Sequence, residues 1–347
     1  MPHKDFIVVG NDLTTYALAY NLLSSFPENN VVVTEQSETE KHLEYYSMLP
    51  AILLPQFNLS EPRLISKLTK GVTQELQELE SLSRILELRK DPVAYLFRGE
   101  ATERKFKRFV SILRQSGIKH AVLSNKEISE SYPFTNNVQT RIIELYDTLK
   151  VDLNNVLEAY QKLFKELGGV QEIGNNIDKD LVTEKGRLLL HKAEGIFVCN
   201  KLDAFLKFNE IVAISLPKIQ NVPYTTLIDV MTGINIVMDL EGYLHIWRHK
   251  NKEQMGSVIE QLKTTASLMT GIEIDDLSFA PKTLEVPVHP HKFVTKRAEK
   301  YFALSFPYFM EISLAPTFTK ILSNNLEKIK KMESIDLETI LALEIEI

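Results

Sequence analysis

Near its start the chain reads Phe6-Ile7-Val8-Val9-Gly10-Asn11-Asp12-Leu13-Thr14-Thr15, and Val31-Val32-Val33-Thr34-Glu35 begins 25 residues after Phe6. Phe6 to Val9 is wholly apolar, the composition of a strand buried on both faces of a parallel sheet. Gly10-Asn11-Asp12 is turn chemistry. From Leu13 the apolar residues recur at helical spacing, at Leu13, Ala17, Leu18, Leu22, Leu23 and Phe26. Pro27-Glu28-Asn29-Asn30 breaks that helix, and Val31 to Val33 is a second buried strand ending at Thr34-Glu35. Strand, turn, helix and strand over about 30 residues make a βαβ unit. With an acid closing the second strand, the order is that of the dinucleotide-binding fingerprint.

The glycines of that fingerprint are mostly missing. A full pattern places glycine at 10, 12 and 15, and this chain has Gly10, Asp12 and Thr15. The second glycine lets the backbone approach a pyrophosphate, and the third lets the helix pack closely on the strand. Asp12 puts a carboxyl group where a helix N-terminus would cradle that anion. Like charges ~4 Å apart repel by roughly 4 kcal/mol at an effective dielectric of ~20, about a thousandfold in affinity. Asp12 is equally a good N-cap for the first helix. Glu35, 25 residues after Gly10, is either the carboxylate for an adenosine ribose or a plain strand-end residue.

The bulk numbers bound the rest. A chain of 347 residues is long enough for two domains. Hydrophobic residues at 44% and charged residues at 25% support an ordinary core. A formal net charge of -6 offers no basic surplus for nucleic acid. The short basic run Arg104-Lys105-Phe106-Lys107-Arg108 reads as the solvated face of a helix. Cys199 is the single cysteine, so no internal disulfide is possible, and its place after Ile196-Phe197-Val198 suggests a buried strand end. No signal-peptide pattern opens the chain, and no run reaches the ~18 apolar residues of a membrane span. A soluble, cytoplasmic protein is expected. Glycine is scarce, 13 in the whole chain, about half the usual ~7% share. Nucleotide-binding α/β proteins normally use it freely in phosphate loops.

Further along, helical patterns fill roughly 60 to 90, Tyr95 to Arg98 reads as a strand, and a basic helix follows near Thr102 to Gln115, stopped by Gly117. A strand and a short helix occupy Ile118 to Tyr132. Asp152 to Leu167 is amphipathic, with Asp152 as N-cap and Gly168-Gly169 as the stop. Leu188 to His191 and Ile196 to Val198 read as strands. Ile234 to Met238 and Tyr243 to Trp247 flank the hairpin turn Asp239-Leu240-Glu241-Gly242. Gln254 to Met269 is a helix, Pro281, Pro287 and Pro290 punctuate a loop-rich stretch, Tyr301 to Leu304 is a strand, and a final helix is expected from Ala315 to Lys330. At the C-terminus Leu343, Ile345 and Ile347 alternate with Glu344 and Glu346 after Ile340 and Leu341, a pattern that fits a half-buried strand.

These segments together resemble the FAD-dependent oxidoreductases of the D-amino-acid oxidase and glycine oxidase type. Val151-Asp152, the helix after it and Gly168-Gly169 are similar to a family segment, with Asn154 where proline is usual. Gly195-Ile196-Phe197-Val198-Cys199 resembles the strand that runs into Ala-Gly against the cofactor, and here Asn200-Lys201 follow. Ser305-Phe306-Pro307-Tyr308-Phe309-Met310-Glu311-Ile312-Ser313-Leu314-Ala315-Pro316 fits the frame of the C-terminal flavin loop, with Phe306 and Glu311 in its outer glycine places. Phe306, Tyr308 and Phe309 would either push side chains into the flavin space or fill a vacated cavity as core residues.

The resemblance implies an α/β fold: a discontinuous FAD/NAD(P)-binding Rossmann-like domain over 1–90, 141–215 and 292–347, and an antiparallel-sheet (α+β) substrate-type domain over 91–140 and 216–291. It implies vestigial cofactor positions at Gly10, Asp12, Thr15 and Glu35, and at Phe306 and Glu311. The expected function is a homologue of FAD-dependent amino-acid and amine oxidoreductases with a degraded flavin site, a pseudoenzyme or non-catalytic subunit without stoichiometric cofactor. The alternatives are an active FAD-dependent oxidoreductase acting on an amine or amino acid, and a small-molecule-binding protein that reuses the pocket. A homo- or hetero-oligomer, with an active paralogue as candidate partner, is expected. No catalytic residue is named. Arg248 is weighed as a carboxylate clamp against a surface arginine, and strand alternation places it opposite Tyr243, His245 and Trp247. His289 and His291 alone do not make a metal site.

Overall fold

The structure, a computed structural model, describes residues 5–35, 51–55, 57, 59–132, 140–173, 193–199, 207–216, 226–250, 253–270, 281–288, 294–298, 301–304, 306, 308–332 and 337–343. In chain order the elements are β1 (Asp5–Val9), α1 (Leu13–Ser25), β2 (Asn30–Glu35), β3 (Ala51–Ile52), α2 (Pro62–Ser83), β4 (Arg89–Lys90), β5 (Val93–Arg98), α3 (Glu103–Gln115), β6 (His120–Val122) and α4 (Asn125–Ser131). There follow β7 (Thr140–Leu145), β8 (Leu149–Val151), α5 (Leu153–Glu166), β9 (Val170–Ile173), β10 (Ala193–Cys199), β11 (Lys207–Leu216), β12 (Thr226–Asp229), β13 (Asn235–Met238) and β14 (Leu244–His249). The last are α6 (Met255–Thr270), β15 (Lys282–Val288), β16 (Val294–Ala298), β17 (Tyr301–Leu304), α7 (Tyr308–Asn324), α8 (Leu326–Lys331) and α9 (Leu337–Ala342).

A six-stranded sheet runs β16-β17-β10-β1-β2-β9, parallel except for the β16–β17 pair. Its centre is the expected βαβ unit. Helix α1 is buried almost all round, because it lies between that sheet and helices α5 and α7. Its N-cap is Asp12, as one of the two readings of that residue requires. Where α2 crosses α7, a Cβ added to Gly71 would stand 2.7 Å from Thr317 Cγ2, so glycine there permits the close approach.

An eight-stranded sheet runs β15-β11-β14-β13-β12-β5-β7-β6, antiparallel except for the β12–β5 pair. Side chains alternate between its faces. Val212, Ile214, Leu244 and Ile246 point to one face and cluster with Val258, Leu262 and Ala266 of α6. On the other face Tyr95, Phe97 and Ile143 meet Phe106, Val110 and Leu113 of α3, while Ile211, Ala213 and Trp247 join the core beneath the six-stranded sheet. A small third sheet has the order β3-β8-β4. There Lys150 Nζ sits 2.9 Å from Asp91 Oδ2, both side chains buried, and Thr226 Oγ1 donates to the same oxygen at 2.7 Å. Burial holds the Lys150 ammonium below the usual lysine value, and Asp91 opposes that shift. β7 and β11 are both strands of the eight-stranded sheet, whereas the expected boundaries grouped 141–215 with the dinucleotide-binding domain.

Several expectations need correction. The last long helix begins at Tyr308 rather than near Ala315, with Pro316 inside it. The stretch around Pro287 is a strand, β15, at the edge of its sheet, where a missing N–H is tolerated. Residues 337–342 are helical, with Ile340 and Leu341 buried and Glu338 accepting from Ser60 N and Ser60 Oγ, both at 2.7 Å, while most of the alternating stretch that suggested a strand follows this helix. The stretches 188–191, 289–291 and 344–347 lie outside the described residues, as do the side chains of Glu35, Tyr308 and Phe309.

Candidate functional site

In open α/β sheets ligands gather at the carboxyl ends of the strands, where the strand order reverses. Here β1 ends at Val9 beside Val198 of β10, and the chain turns at Gly10 into α1. Gly10 has φ +145, and a Cβ on it would lie 2.2 Å from Thr15 Oγ1. The one glycine the fingerprint keeps is therefore required by this chain's own threonine. The Gly10 N–H donates to Thr34 O at 3.0 Å, tying the turn to β2.

The first turn of α1 presents its backbone N–H groups toward this crevice, as every helix start must. Asp12 Oδ1 accepts from Thr15 N at 2.9 Å and from Thr15 Oγ1 at 2.7 Å. Glu311 Oε1, from the first turn of α7, accepts from Thr14 N at 2.9 Å and from Thr14 Oγ1 at 2.6 Å. The Tyr16 N–H returns to Asp12 O at 3.2 Å. Asp12 is 2% exposed and Glu311 1%. Two carboxyl groups thus stand at the positive end of a helix, where the macrodipole favours negative charge. They take the donors that a phosphate at this helix end would use.

Cys199 completes the cluster. It is buried at the end of β10, as the sequence suggested. Burial pushes its thiol well above the usual cysteine value; nearby Asp12 and, to a lesser degree, Glu311 add to the shift, and a hydrogen bond with Thr15 opposes it. A thiol held protonated in this way is a poor nucleophile.

Phe306 is 2% exposed and meets Phe318 edge-on, with ring centroids 5.2 Å apart. Of its two sequence readings the packing matches the core residue. Trp247 and His249 lie on the inner face of β14, with ring centroids 6.4 Å apart. Trp247 Nε1 is buried and has no hydrogen-bond partner among the described residues. Burial holds His249 below the usual histidine value.

Arg248 is neither a clamp nor a surface residue. It is 5% exposed on the α6 side of the sheet, where its guanidinium bonds Glu253 and Gln261 and donates to His249 O at 3.1 Å. Tyr243 is exposed. Among the described residues no cluster of three or more histidine, cysteine or acidic side chains could hold a metal, and no helix is long and apolar enough to cross a membrane. The pairing of Glu311 with Thr14 had no signal in the sequence, where Thr14 reads as an ordinary helix residue and Glu311 as part of a loop.

No protein-family model matches the chain, and no curated protein matches it by sequence. Solved structures do match its fold over nearly its full length. The L-proline dehydrogenase of P. horikoshii superposes with a TM-score of 0.73 at 12% identity, over 100% of this chain and 99% of that one. The glycine oxidase of Geobacillus kaustophilus gives 0.72 at 15% identity, over 97% and 98%. The L-alpha-glycerophosphate oxidase of Mycoplasma pneumoniae, determined with FAD bound, gives 0.65 at 11% identity, over 94% and 95%. At these identities the likeness establishes the fold, a Rossmann-like domain joined to a substrate-type domain.

Proposed function

We propose that this chain, built on the fold of the D-amino-acid oxidase and glycine oxidase type of flavoprotein, works without stoichiometric FAD as a pseudoenzyme of that type, with no flavin chemistry. The observation that supports this reading is the occupation of the α1 N-terminus by Asp12 and Glu311. A pyrophosphate at that helix end would have to displace both carboxyl groups and then sit beside them. The residues present do not fit the group. Gly10, Asp12, Thr15, Phe306 and Glu311 are, on this reading, positions where internal contacts have replaced cofactor contacts, and Glu35 is a strand end without a ribose to bind. The two large sheets correspond to the dinucleotide-binding and substrate-type domains of the fold, and on this reading the flavoprotein fold serves as a subunit beside a partner.

The experiment is the flavin content of the purified protein, read from the visible band near ~450 nm and from FAD released on unfolding. Stoichiometric FAD would favour an active oxidoreductase acting on an amine or amino acid. One observation favours a different reuse of the fold. The buried Trp247 Nε1 is a hydrogen-bond donor without a partner among the described residues, and a small molecule with an acceptor group would satisfy it. Shielding of the Trp247 indole on addition of candidate ligands tests that reading.

A further inference from the structure

We propose that Ser215 is an activated nucleophile, part of an acyl-transfer site on the eight-stranded sheet that works independently of any flavin. Ser215 and His245 are direct cross-strand partners on β11 and β14. Ser215 Oγ lies 3.0 Å from His245 Nδ1. On the far side of the ring, His245 Nε2 lies 2.9 Å from Asp239 Oδ2. The other Asp239 oxygen, Oδ1, accepts from the backbone N–H groups of Glu241 at 3.0 Å, Gly242 at 2.7 Å and Tyr243 at 2.8 Å. Three amides therefore fix the carboxylate, and its free edge faces the imidazole.

The geometry sets the tautomer. A carboxylate can only accept, so the ring proton sits on Nε2 and the Nδ1 lone pair faces the serine hydroxyl. The roles are the nucleophile, base and orienting acid of hydrolases, with the two ring nitrogens exchanged: Nδ1 faces the serine and Nε2 the carboxylate. Accessibility runs the right way for chemistry. Ser215 is exposed, while the His245 side chain is 12% exposed and that of Asp239 23%. Tight turn residues explain the anchoring: Asp239 opens the β13–β14 hairpin, and its side chain caps the turn.

The substrate class is a carboxylic ester, whose alcohol leaves once a single imidazole protonates it. Ser215 Oγ bonds to the carbonyl carbon as its proton passes to His245 Nδ1. That proton then leaves with the alcohol as the ester C–O bond breaks, giving an acyl-serine. Water attacks the acyl carbon, gives a proton to Nδ1, and releases the carboxylic acid as Nδ1 returns the proton to Ser215. Asp239 acts through His245 as a positioning residue.

The test uses the full-length protein and an alkyl fluorophosphonate, which traps an activated serine by forming an O–P bond with loss of fluoride. Wild type should be modified at Ser215, located by peptide mass spectrometry, and Ser215→Ala should lose that modification. His245→Gln should slow it by at least ~100-fold, the lower range for a general base. In Asp239→Asn the amide can donate to Nε2 and move the ring proton to Nδ1. Nitrogen chemical shifts of the His245 ring should report that change, and labelling should fall with it, while thermal melts confirm that each variant is folded. Wild-type Ser215 that stays unmodified, or is modified no faster than in His245→Gln, would overturn the proposal and leave the three residues as a clamp on the hairpin. Flavin content is unaffected by either result, so this test and that of the proposed function fail separately.

Discussion

Glu311 Oε1 accepts the Thr14 backbone N–H at 2.9 Å and the Thr14 hydroxyl at 2.6 Å, joining two helix starts that lie 297 residues apart in the chain. The contact locks α7 against α1 at the place where the fold would present an anion site. Hydrogen bonds to a charged group are worth about 1.5–3 kcal/mol each, and more is lost when a buried donor is left alone. Glu311→Ala should therefore lower unfolding stability by about 2–4 kcal/mol. Glu311→Gln keeps an acceptor for Thr14 and should lose less. Urea midpoints at constant slope measure both.

Asp12→Gly alone should not create tight FAD binding. It removes one carboxyl group but leaves Glu311 on the Thr14 N–H and Phe306 packed on Phe318. It also removes the cap that holds Thr15, at a cost of only a few tenths of a kcal/mol, since glycine is itself a fair N-cap. Calorimetric titration of FAD into wild type and variant tests this, and submicromolar binding by the single variant would show that the other contacts yield easily.

Acid should weaken the fold through His249. Burial holds its folded-state pKa below the usual value. As pH falls through ~6.5, the unfolded chain takes up a proton that the folded chain refuses, so stability falls until the folded histidine also protonates. Above that window the neutral form prevails in both states and the effect vanishes. His249→Gln should flatten the loss of denaturant midpoint between about pH 7.5 and about pH 5.5. An unchanged slope would place the acid sensitivity on other groups.

Deleting residues 338–347 should lower the melting temperature. Ile340 and Leu341 are buried against their own chain, Glu338 holds Ser60, and Lys67 Nζ donates to Leu341 O at 3.3 Å. Burying two such aliphatic side chains contributes about 3–6 kcal/mol. Light scattering alongside the melt separates this internal role from association: loss of an oligomer at unchanged melting temperature would return the tail to a partner surface.

How much of this was legible in the sequence depends on the range of the contact. The βαβ unit from Phe6 to Glu35, the Asp152 cap and the hairpin at Asp239 rest on neighbours a few residues apart, and the structure has all three. Pro316 read as a helix opening, which hid the preceding two turns and so placed Glu311 in a loop. Pro287 read as loop punctuation because sheet position is invisible locally, and an edge strand makes it tolerable, whereas Pro281 does precede that strand. Alternation placed Arg248 opposite Trp247 correctly, but that α6 covers its face is a tertiary fact. The two contacts with most functional weight, Glu311 with Thr14 and Ser215 with His245, join separate elements and leave no periodic trace.

The central claim is that internal carboxyl groups stand where a flavin pyrophosphate would bind. The most direct measurement is the flavin content of the protein purified without added cofactor, by absorbance near ~450 nm and by FAD released on denaturation. The account predicts a colourless protein with far less than one equivalent of FAD, before and after incubation with excess cofactor and desalting. A yellow protein retaining about one FAD per chain would contradict it.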